Sequence, residues 1–233
     1  MKLLVSDYDG TFNEYKSLSK INNNIDAVKR FMSNGNLFAF ATGRSFYSIK
    51  GETSRYKIPY DYLICNNGSA IFDRDDNLIF QNTILIDTIK KTLIYLNKLG
   101  FIKSLEFKDA YGRNTTNYNE IIEIICTLKF RNSLDARKVM KEISFLSSFS
   151  FMNIIIFKEE FDKKDGIYIV SEIEGVDSKD IYTIGNASND KGMLLEFNGY
   201  KMPYSYPEIL FSKVKLTSSV KTLIRKIERR NHE

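Results

Sequence analysis

The amino terminus combines a short apolar run with two closely spaced acids. Residues 2–6 (KLLVS) have the character of a buried β-strand, and residues 7–11 (DYDGT) follow directly. Because alternate residues of an extended strand point the same way, Asp7 and Asp9 are expected to share a face, while Gly10 lets the chain turn away. Two carboxylates beyond the end of a buried strand suit a hard cation such as Mg²⁺. One of them could attack phosphorus while the other moves a proton.

Composition narrows the chemistry that the chain can perform. The sole histidine among 233 residues is His232, which disfavours mechanisms that need a core histidine as base, nucleophile or zinc ligand. Cys65 and Cys126 fit no metal or redox spacing, which indicates two buried free thiols in a reducing cytoplasm. The net charge of +5 lies partly in an amphipathic last helix, so we expect an anionic substrate and no nucleic-acid partner. With no apolar run long enough to cross a bilayer and no signal-peptide pattern, we expect a cytoplasmic monomer or weak dimer.

A helix and a second strand follow the amino-terminal motif. Apolar residues recur at helical spacing over residues 25–32, and residues 37–41 (LFAFA) have the character of a buried strand. This strand ends in residues 42–44 (TGR), and a strand–helix–strand unit of this kind is right-handed and parallel. Ligands bind beyond the carboxyl ends of such strands, so these residues are expected beside the two acids. Thr42 can donate its hydroxyl to a phosphate oxygen, and Gly43 lets backbone amides approach an anion.

Two further predicted core strands end in polar residues. Residues 62–65 (YLIC) precede residues 66–68 (NNG), for which turn chemistry alone and a role in the site both stay open. Residues 181–184 (IYTI) precede residues 185–190 (GNASND), which places amides and acids beyond another strand end. The other elements predicted for this part are a hairpin (70–72 and 78–80), a helix (163–175), a helix through Met193 and Leu195, a short strand (214–216) and a last helix with an apolar face of Val220, Leu223, Ile224 and Ile227.

The pattern of residues 83–159 differs from the rest of the chain. Its predicted elements are a helix (86–96), strands (101–107 and about 121–130), a second helix (marked by Val139, Ile143 and Leu146) and a strand (151–157). This order indicates a small α+β unit with its own layer. We therefore predict a core of residues 1–82 and 160–233 that carries residues 83–159 as an insertion.

Four motifs now stand in order along the chain: D-Y-D-G-T, A-T-G-R, a lysine at a helix start, and G-N-A-S-N-D. Over essentially the whole chain, they resemble the haloacid dehalogenase superfamily of phosphohydrolases. The stretch I-C-N-N-G-S-A at residues 64–70 and the late α+β insertion are similar to the Cof-type branch. The resemblance implies a fold of the α/β class, with a Rossmann-like parallel core and an inserted α+β cap domain at residues 83–159.

The resemblance also implies a role for individual residues. Asp7 corresponds to the nucleophile that forms an aspartyl-phosphate. Asp9 corresponds to the general acid/base, and its backbone carbonyl would also bind Mg²⁺. Thr42 would hold the transferring phosphoryl group, with Gly43 nearby. Lys163 would neutralise charge on the phosphoryl group and on the nucleophile.

The lysine assignment leaves Lys164 as an alternative. Lys163 is preferred because Gly166 and Ile167 then occupy the positions where the family has a small and an aliphatic residue. Phosphoryl transfer needs mainly positioning and charge stabilisation, which a lysine and Mg²⁺ supply, so the chemistry agrees with these roles.

The chain departs from the family at Asn186, where the family usually has an aspartate that binds Mg²⁺ directly. An amide oxygen can bind Mg²⁺ but brings no charge, and Asp190 remains to support the metal. The predicted metal ligands are Asp7, Asp9, Asn186 and Asp190. The predicted phosphate-binding residues are Thr42, Gly43, Asn67, Lys163 and Asn189.

From these observations we predict Mg²⁺-dependent hydrolysis of a small phosphorylated metabolite, such as a sugar phosphate. Two alternatives stay open: a phosphomutase of the same superfamily, and a weakened relative that binds a phosphorylated ligand and regulates without turnover. Some residues of the predicted cap are candidates for contact with an anionic substrate, with ordinary surface positions as the favoured interpretation: Arg113, Asn114, Lys129 and Arg131.

Overall fold

The structure is a computed structural model, and it describes residues 1–14, 17–100, 102–129, 146–150, 154–158 and 160–229. The chain divides into two units, one of Met1–Ile79 with Asp162–Glu233 and the other of Phe80–Phe161. In chain order the strands are β1 (Leu3–Ser6), β2 (Leu37–Ala41), β3 (Tyr62–Cys65), β4 (Ala70–Asp73), β5 (Leu78–Gln81), β6 (Ile102–Lys108), β7 (Glu123–Leu128), β8 (Leu146–Ser150), β9 (Ile154–Lys158), β10 (Ile181–Gly185), β11 (Asn198–Lys201) and β12 (Lys215–Leu216). The helices are α1 (Leu18–Ser33), α2 (Phe46–Tyr56), α3 (Ile86–Asn97), α4 (Lys163–Glu174), α5 (Lys191–Glu196), α6 (Pro207–Leu210) and α7 (Val220–Arg229).

The first unit is organised around one sheet, with the strand order β12-β11-β10-β1-β2-β3-β4-β5. The strands from β12 to β3 pair in parallel, and β4 runs antiparallel to β3. Every residue of β1, β2 and β10 is buried, as is typical of parallel strands covered on both faces. The predicted α/β class with a mostly parallel central sheet is confirmed.

The parallel register brings the carboxyl ends of three strands to one edge of this sheet. Ser6, the last residue of β1, lies opposite Phe40 of β2 and Ile184 of β10. The main-chain N–H of Asp7 still donates to the carbonyl of Ile184, at 2.9 Å. The residues that follow these strands therefore emerge side by side, at the edge where open α/β sheets bind ligands.

The second unit has a sheet of its own, with the strand order β6-β7-β9-β8 and antiparallel pairing throughout. Its buried core packs residues of α3 and its flanks against β7 and the segment before it: Ile84, Ile89, Leu96, Ile121, Ile124, Cys126 and Leu128. The two units are defined by their contacts and not by what they do. The roles of catalytic core and cap therefore stay a prediction.

The first helix is longer than the apolar pattern indicated. The spacing predicts a helix over residues 25–32, whereas α1 spans Leu18–Ser33. The earlier turns do not show a continuous apolar pattern, because Asn24 is buried at a position of the helix where an apolar residue is expected. Its amide donates to the main-chain carbonyl of Phe12 at 3.0 Å and accepts from the main-chain N–H of Lys221 at 3.0 Å. A satisfied amide thus replaces apolar contact on this face.

The helix predicted from Val139, Ile143 and Leu146 is wrong at its last residue. Leu146 begins β8, while Val139 and Ile143 lie outside the described residues. A spacing of four and three residues fits a helix, but β8 pairs with the apolar strand β9 along its whole length. Cross-strand pairing therefore overrides the local pattern.

Two elements gave no usable signal in the sequence. Only Phe46, Ile49 and Thr53 of α2 are buried, so the helix shows little apolar periodicity. Strand β11 has the sequence NGYK, in which the asparagine, glycine and lysine are residue types depleted in strands. Both cysteines are buried and free, as predicted. Across the described ranges, no helix is long and apolar enough to cross a membrane.

Two helical glycines should respond oppositely to substitution by alanine. A Cβ on Gly166 of α4 would lie 2.5 Å from a methyl carbon of Ile64 and 3.3 Å from Cα of Gly68. Gly166→Ala should therefore lower the free energy of unfolding by about 1–3 kcal/mol through overpacking. Gly51→Ala in α2 meets nothing within 4 Å and should raise it by about 0.5–1 kcal/mol. Urea unfolding of both variants measures this, and equal effects would contradict the close approach of α4 to β3.

Candidate active site

The loop after β1 turns back tightly on itself. Gly10 has a φ of +75°, a left-handed conformation that disfavours any side chain. The main-chain N–H of Phe12 donates to the carbonyl of Asp7 at 3.3 Å. The rings of Tyr8 and Phe12 are fully buried and lie edge-on to Phe40, with ring centres 5.5 and 5.0 Å away. Buried aromatic packing thus fixes the loop that carries the first motif.

A buried lysine joins the first motif to the fourth. Nζ of Lys163 donates to Oδ1 of Asp7 at 2.7 Å and to Oδ1 of Asp190 at 2.6 Å. All three side chains are almost completely shielded from solvent. Lys164 instead lies 3.9 Å from Asp162 and is partly exposed. Of the two candidate lysines, the one that contacts the predicted nucleophile is Lys163.

The start of α4 explains why Lys163 is held in this place. Asp162 caps the helix, since its carboxylate accepts from the main-chain N–H of Lys164 at 2.7 Å. The carboxylate of Asp165 accepts in return from the main-chain N–H of Asp162 at 2.8 Å, which completes a capping box. Lys163 is therefore the first residue of the helix, and its side chain leaves from a fixed backbone.

Asp190 is engaged through both of its oxygens. Oδ1 accepts from Lys163, while Oδ2 accepts from the main-chain N–H groups of Asn186 and Ala187 at 2.8 and 2.9 Å. The carboxylate is fully buried. These contacts fix the loop after β10 and the lysine together, and they leave Asp190 little freedom to turn toward a cation.

Burial and charge act on the trio in opposite directions. Burial, together with the nearby Asp190 charge, raises the pKa of Asp7 to about 7, although Lys163 works against this rise. Burial alone would lower the pKa of Lys163, but the charges of Asp190 and Asp7 outweigh burial and raise it. The single ammonium group of Lys163 therefore neutralises two carboxylates. The ionised form of Asp7 is destabilised as a result.

Asn186 lies against the first motif. Its Oδ1 accepts from the hydroxyl of Thr11 at 3.0 Å. A Cβ on Gly10 would lie only 2.6 Å from its Nδ2, so the amide packs directly on the turn of the first loop. The structure thus brings Asn186 to the first motif, as the metal prediction requires, without a negative charge.

A second group of predicted site residues connects the loops after β2, β3 and β10 by hydrogen bonds. The hydroxyl of Thr42 accepts from the main-chain N–H of Arg44 at 3.1 Å, which leaves its own proton free to donate. Asn67 donates its main-chain N–H to the carbonyl of Thr42 at 2.9 Å, and its side chain lies against Gly43. Oδ1 of Asn67 also accepts from Nδ2 of Asn189 at 2.9 Å. The Asn-Gly segment therefore bridges two other loops rather than acting as a turn alone.

Sequence reasoning missed the residue that holds Asp9. The guanidinium of Arg44 donates to both oxygens of Asp9, from Nε at 2.7 Å and from Nη2 at 2.8 Å. The available signal was Arg44 itself, which stands in the second motif, although nothing local indicates its partner 35 residues earlier. The Asp9 side chain is 57% exposed, in contrast to the buried Asp7.

The candidate anion-binding residues that the structure describes in the second unit have partners within that unit. Nε of Arg113 donates to Asp109 at 2.8 Å, and the Asn114 side chain accepts from Lys108 at 2.6 Å. Lys129 donates to the carbonyl of Gly100 at 2.8 Å. Arg131 lies outside the described residues. These contacts fit ordinary surface positions.

Comparison with known proteins identifies the family. A family model described as haloacid dehalogenase-like hydrolase matches residues 4–133, which is more than half of the chain. The chain belongs to this family. The resemblance predicted from the four motifs is therefore confirmed, and the protein is a hydrolase.

Similar proteins agree with this placement. A protein of Buchnera aphidicola subsp. Baizongia pistaciae, provisionally named a phosphatase, is 25% identical over 224 residues, which covers 82% of each chain. A phosphatase of the haloalkanoate superfamily from Bacteroides thetaiotaomicron superposes with a TM-score of 0.79 at 19% identity, over 99% of this chain and 95% of that one. The sucrose-phosphatase of Synechocystis sp. PCC6803 gives 0.71 at 15% identity, over 99% and 98%. The solved structures support the fold, and the family with its named relatives supports a phosphatase activity.

The raised pKa of Asp7 predicts that its ionised carboxylate lowers the free energy of unfolding. A carboxyl whose folded pKa exceeds its unfolded value of 3.8 stabilises the fold only when protonated, so stability falls as pH rises from about 4 through about 7. In metal-free buffer at about pH 8, Asp7→Asn should raise Tm by a few degrees, as expected from about 1–2 kcal/mol. The gain should shrink as pH falls from about 7 toward 4, because Asp7 is then increasingly protonated in the folded state.

The matched control for this prediction is Asp190→Asn. An amide at position 190 cannot reproduce the acceptor pattern toward Lys163 and the two main-chain N–H groups, so Tm should fall. Thermal unfolding across the pH range compares the proteins. A lower Tm for Asp7→Asn at about pH 8 would contradict the view that Asp7 is held at a cost.

Proposed function

We propose that the protein is a Mg²⁺-dependent phosphatase that hydrolyses a small phosphorylated metabolite through a phosphorylated Asp7. The observation that carries this proposal is the buried contact of Lys163 with both Asp7 and Asp190, at 2.7 and 2.6 Å. A carboxylate destabilised by burial is a reactive nucleophile, and an adjacent ammonium neutralises the charge that phosphoryl transfer brings.

The proposed reaction has two steps. In the first, an oxygen of Asp7 forms a bond to phosphorus, the bond from phosphorus to the leaving oxygen breaks, and Asp9 gives that oxygen a proton. In the second, a water attacks phosphorus, Asp9 takes its proton, and the bond to Asp7 breaks to release inorganic phosphate. The exposed side chain of Asp9 suits an acid/base that exchanges protons with its surroundings.

The phosphoryl group would be held by donors from the loop after β2 and from the start of α4, in a space shaped by the loops after β3 and β10. Thr42 has a hydroxyl proton free to donate, because its oxygen accepts from the main chain. Gly43 exposes the backbone beside Asn67, and Asn189 is joined to Asn67 across the loops. In this arrangement we assign Thr42 and Lys163 to the phosphoryl oxygens, with Asn67 and Asn189 shaping the space around them.

The donors around the end of β1 fit Mg²⁺, which requires oxygen ligands. Lys163 engages one oxygen of Asp7 and leaves the other for the cation, joined by the main-chain carbonyl of Asp9 and the side-chain carbonyl of Asn186. Asp190 supports the site indirectly, because both its oxygens are already engaged. Across the described ranges, no three acidic, histidine or cysteine side chains group to hold a metal. Bound Mg²⁺ would supply positive charge to the phosphoryl group, with Asp7 as its charged ligand.

Residues 83–159 are proposed to act as the cap that selects the substrate. Caps of this kind exclude water from the reaction and line the substrate site. A sugar phosphate is the proposed substrate class, supported by the similar fold of the sucrose-phosphatase of Synechocystis sp. PCC6803. A small anionic substrate also agrees with the net charge of +5.

The nucleophile can be tested by substitution. Asp7→Asn should lower phosphate release by about a thousandfold or more, since an amide cannot form the acyl phosphate. Release of inorganic phosphate from a panel of phosphomonoesters, with Mg²⁺ or with a chelator, measures this. Asp26→Asn on the exposed face of α1 is the control and should retain the wild-type rate. Substantial turnover by folded Asp7→Asn protein would refute the assignment.

The same measurements distinguish the alternative functions. A phosphomutase would isomerise a sugar phosphate and release little free phosphate. A regulator without turnover would bind phosphorylated ligands and give no product with any substrate, and the uncharged Asn186 is the feature that favours it. Neither outcome is expected for a phosphatase.

The amide at position 186 predicts weak binding of Mg²⁺. Replacing a carboxylate ligand by an amide removes a full negative charge, which costs at least about 1–2 kcal/mol even when screened, or roughly tenfold in affinity. Asn186→Asp should therefore bind Mg²⁺ about tenfold more tightly in a calorimetric titration and reach half-maximal activity at lower Mg²⁺. Equal affinity in the two proteins would show that the weak-site hypothesis is wrong.

A control substitution separates this hypothesis from direct ligation by Asp190. If Asp190 were itself a ligand, Asp190→Asn would abolish Mg²⁺ binding and Asn186→Asp would change little. Because its oxygens are occupied by Lys163 and two main-chain N–H groups, we expect Asp190→Asn to act mainly on stability.

A further inference from the structure

The guanidinium of Arg44 is committed to protein partners on every nitrogen. Nε and Nη2 donate to the two oxygens of Asp9, at 2.7 and 2.8 Å, and Nη1 donates to the hydroxyl of Ser48 at 3.0 Å. Its central carbon also lies 5.3 Å from the centre of the Tyr8 ring, within the range of a cation–π contact. A bidentate pair of this geometry is stronger and more directional than a single contact.

The main chain of Arg44 and the Tyr8 ring on which its guanidinium lies are also held by hydrogen bonds. Its main-chain N–H donates to the hydroxyl of Thr42 at 3.1 Å, and its carbonyl accepts from the main-chain N–H of Asn66 at 2.9 Å. Tyr8 is fully buried, and its hydroxyl donates to Glu52 at 2.8 Å. Arg44 therefore reaches Asp9 from a rigid position, although Asp9 itself is exposed.

We propose that Arg44 is a positioning residue, which aims the Asp9 carboxylate as the base for hydrolysis of phosphorylated Asp7. The inference rests on the function proposed above. In this step a water proton moves to Asp9, the water oxygen bonds to phosphorus, and the Asp7–phosphate bond breaks. The products are the free Asp7 carboxylate and inorganic phosphate. A carboxylate accepts about four hydrogen bonds, so the two from Arg44 leave lone pairs for the water.

The arrangement favours the base step over two other roles. Both oxygens of Asp9 accept hydrogen bonds from Arg44, so the carboxylate is held as an acceptor. The hydrolytic step uses Asp9 to accept a proton, whereas the first step uses it to donate one. A fork of this shape could also bind phosphate, but its Nε and Nη2 edge is already occupied by Asp9 and the side chain is mostly covered. Arg44 therefore acts through Asp9 rather than on the substrate.

Arg44→Gln should alter the kinetics in a pattern that loss of structure would not produce. With p-nitrophenyl phosphate, kcat should fall by about tenfold or more, because the base that activates water is no longer held. KM should fall with it, so that kcat/KM, which reports the steps up to formation of the intermediate, stays within about twofold. Acid-quenched protein should retain more covalently bound phosphate from ³²P-labelled substrate than the wild type does. Arg44→Lys keeps the charge without the fork and should be intermediate.

Arg30→Gln is the matched control. Arg30 forms the same type of bidentate pair with Glu228, at 3.2 and 3.1 Å, and neither residue belongs to the proposed site. This variant should keep the wild-type kcat. Thermal unfolding of all three variants shows whether each is folded, and Arg44→Lys replaces Arg44→Gln if the latter is not.

Several results would overturn the inference alone. With an active wild type, an unchanged or higher kcat in Arg44→Gln would show that Arg44 does not support the base. A raised KM with unchanged kcat, together with weaker inhibition by inorganic phosphate, would show that Arg44 binds the substrate. A wild type that neither releases phosphate nor forms a phosphorylated intermediate would overturn the proposed function, and this inference with it.

Discussion

Lys163 is buried between Asp7 and Asp190, and the rest of the site depends on this contact. Charges removed from water are costly, and a buried ion pair repays that cost only with good geometry and further hydrogen bonds. Two main-chain N–H groups complete the hydrogen bonding of Asp190, while among the described residues one oxygen of Asp7 has no such donor. Asp7 is therefore the carboxylate whose burial is less well compensated by hydrogen bonds, and it is also the residue proposed to react. Favourable interactions elsewhere in the fold offset the unfavourable local energy of such a functional site.

The contact also imposes conditions on the fold. Lys163 reaches both carboxylates only if α4 begins at that residue, and the capping box of Asp162 and Asp165 sets that start. Asp7 and Asp190 come together only if β1 and β10 pair in the observed parallel register. A shift of one residue would turn Asp7 to the other face of the sheet. Backbone hydrogen bonds and helix capping thus decide a charge arrangement that spans 156 residues of sequence.

The sequence predicts those parts of the fold in which local pattern and final packing agree. The apolar runs that become β1, β2, β3 and β10 were all recognised, because each is buried along its whole length. Strand β11 and helix α2 were missed, since their positions depend on neighbours rather than on their own composition. The buried Asn24 gives the same lesson, because a polar residue that finds two main-chain partners looks like a surface residue in the sequence. The error at Leu146 arose where strand pairing outweighed a helical spacing.

The candidate site divides in a similar way. Residues that stand at strand ends could be predicted because parallel topology brings strand ends together. The bond from Asn67 to Asn189 and the pair of Arg44 with Asp9 could not, since each joins side chains of separate loops. Motif spacing carries no information about such partners. Only the folded arrangement shows which side chain each loop presents to the next.

Asp7 and Asp9 are chemically identical and two residues apart, yet the fold gives them opposite surroundings. Asp7 continues the hydrogen bonding of a buried strand, lies beside a second carboxylate and shares a single ammonium with it. Asp9 lies within the loop, is largely exposed, and accepts from the guanidinium of Arg44 through both of its oxygens. Burial makes the first carboxylate costly to ionise, and exposure lets the second exchange protons with solvent. A nucleophile and an acid/base need these two conditions, and one tight loop at the end of a strand provides both.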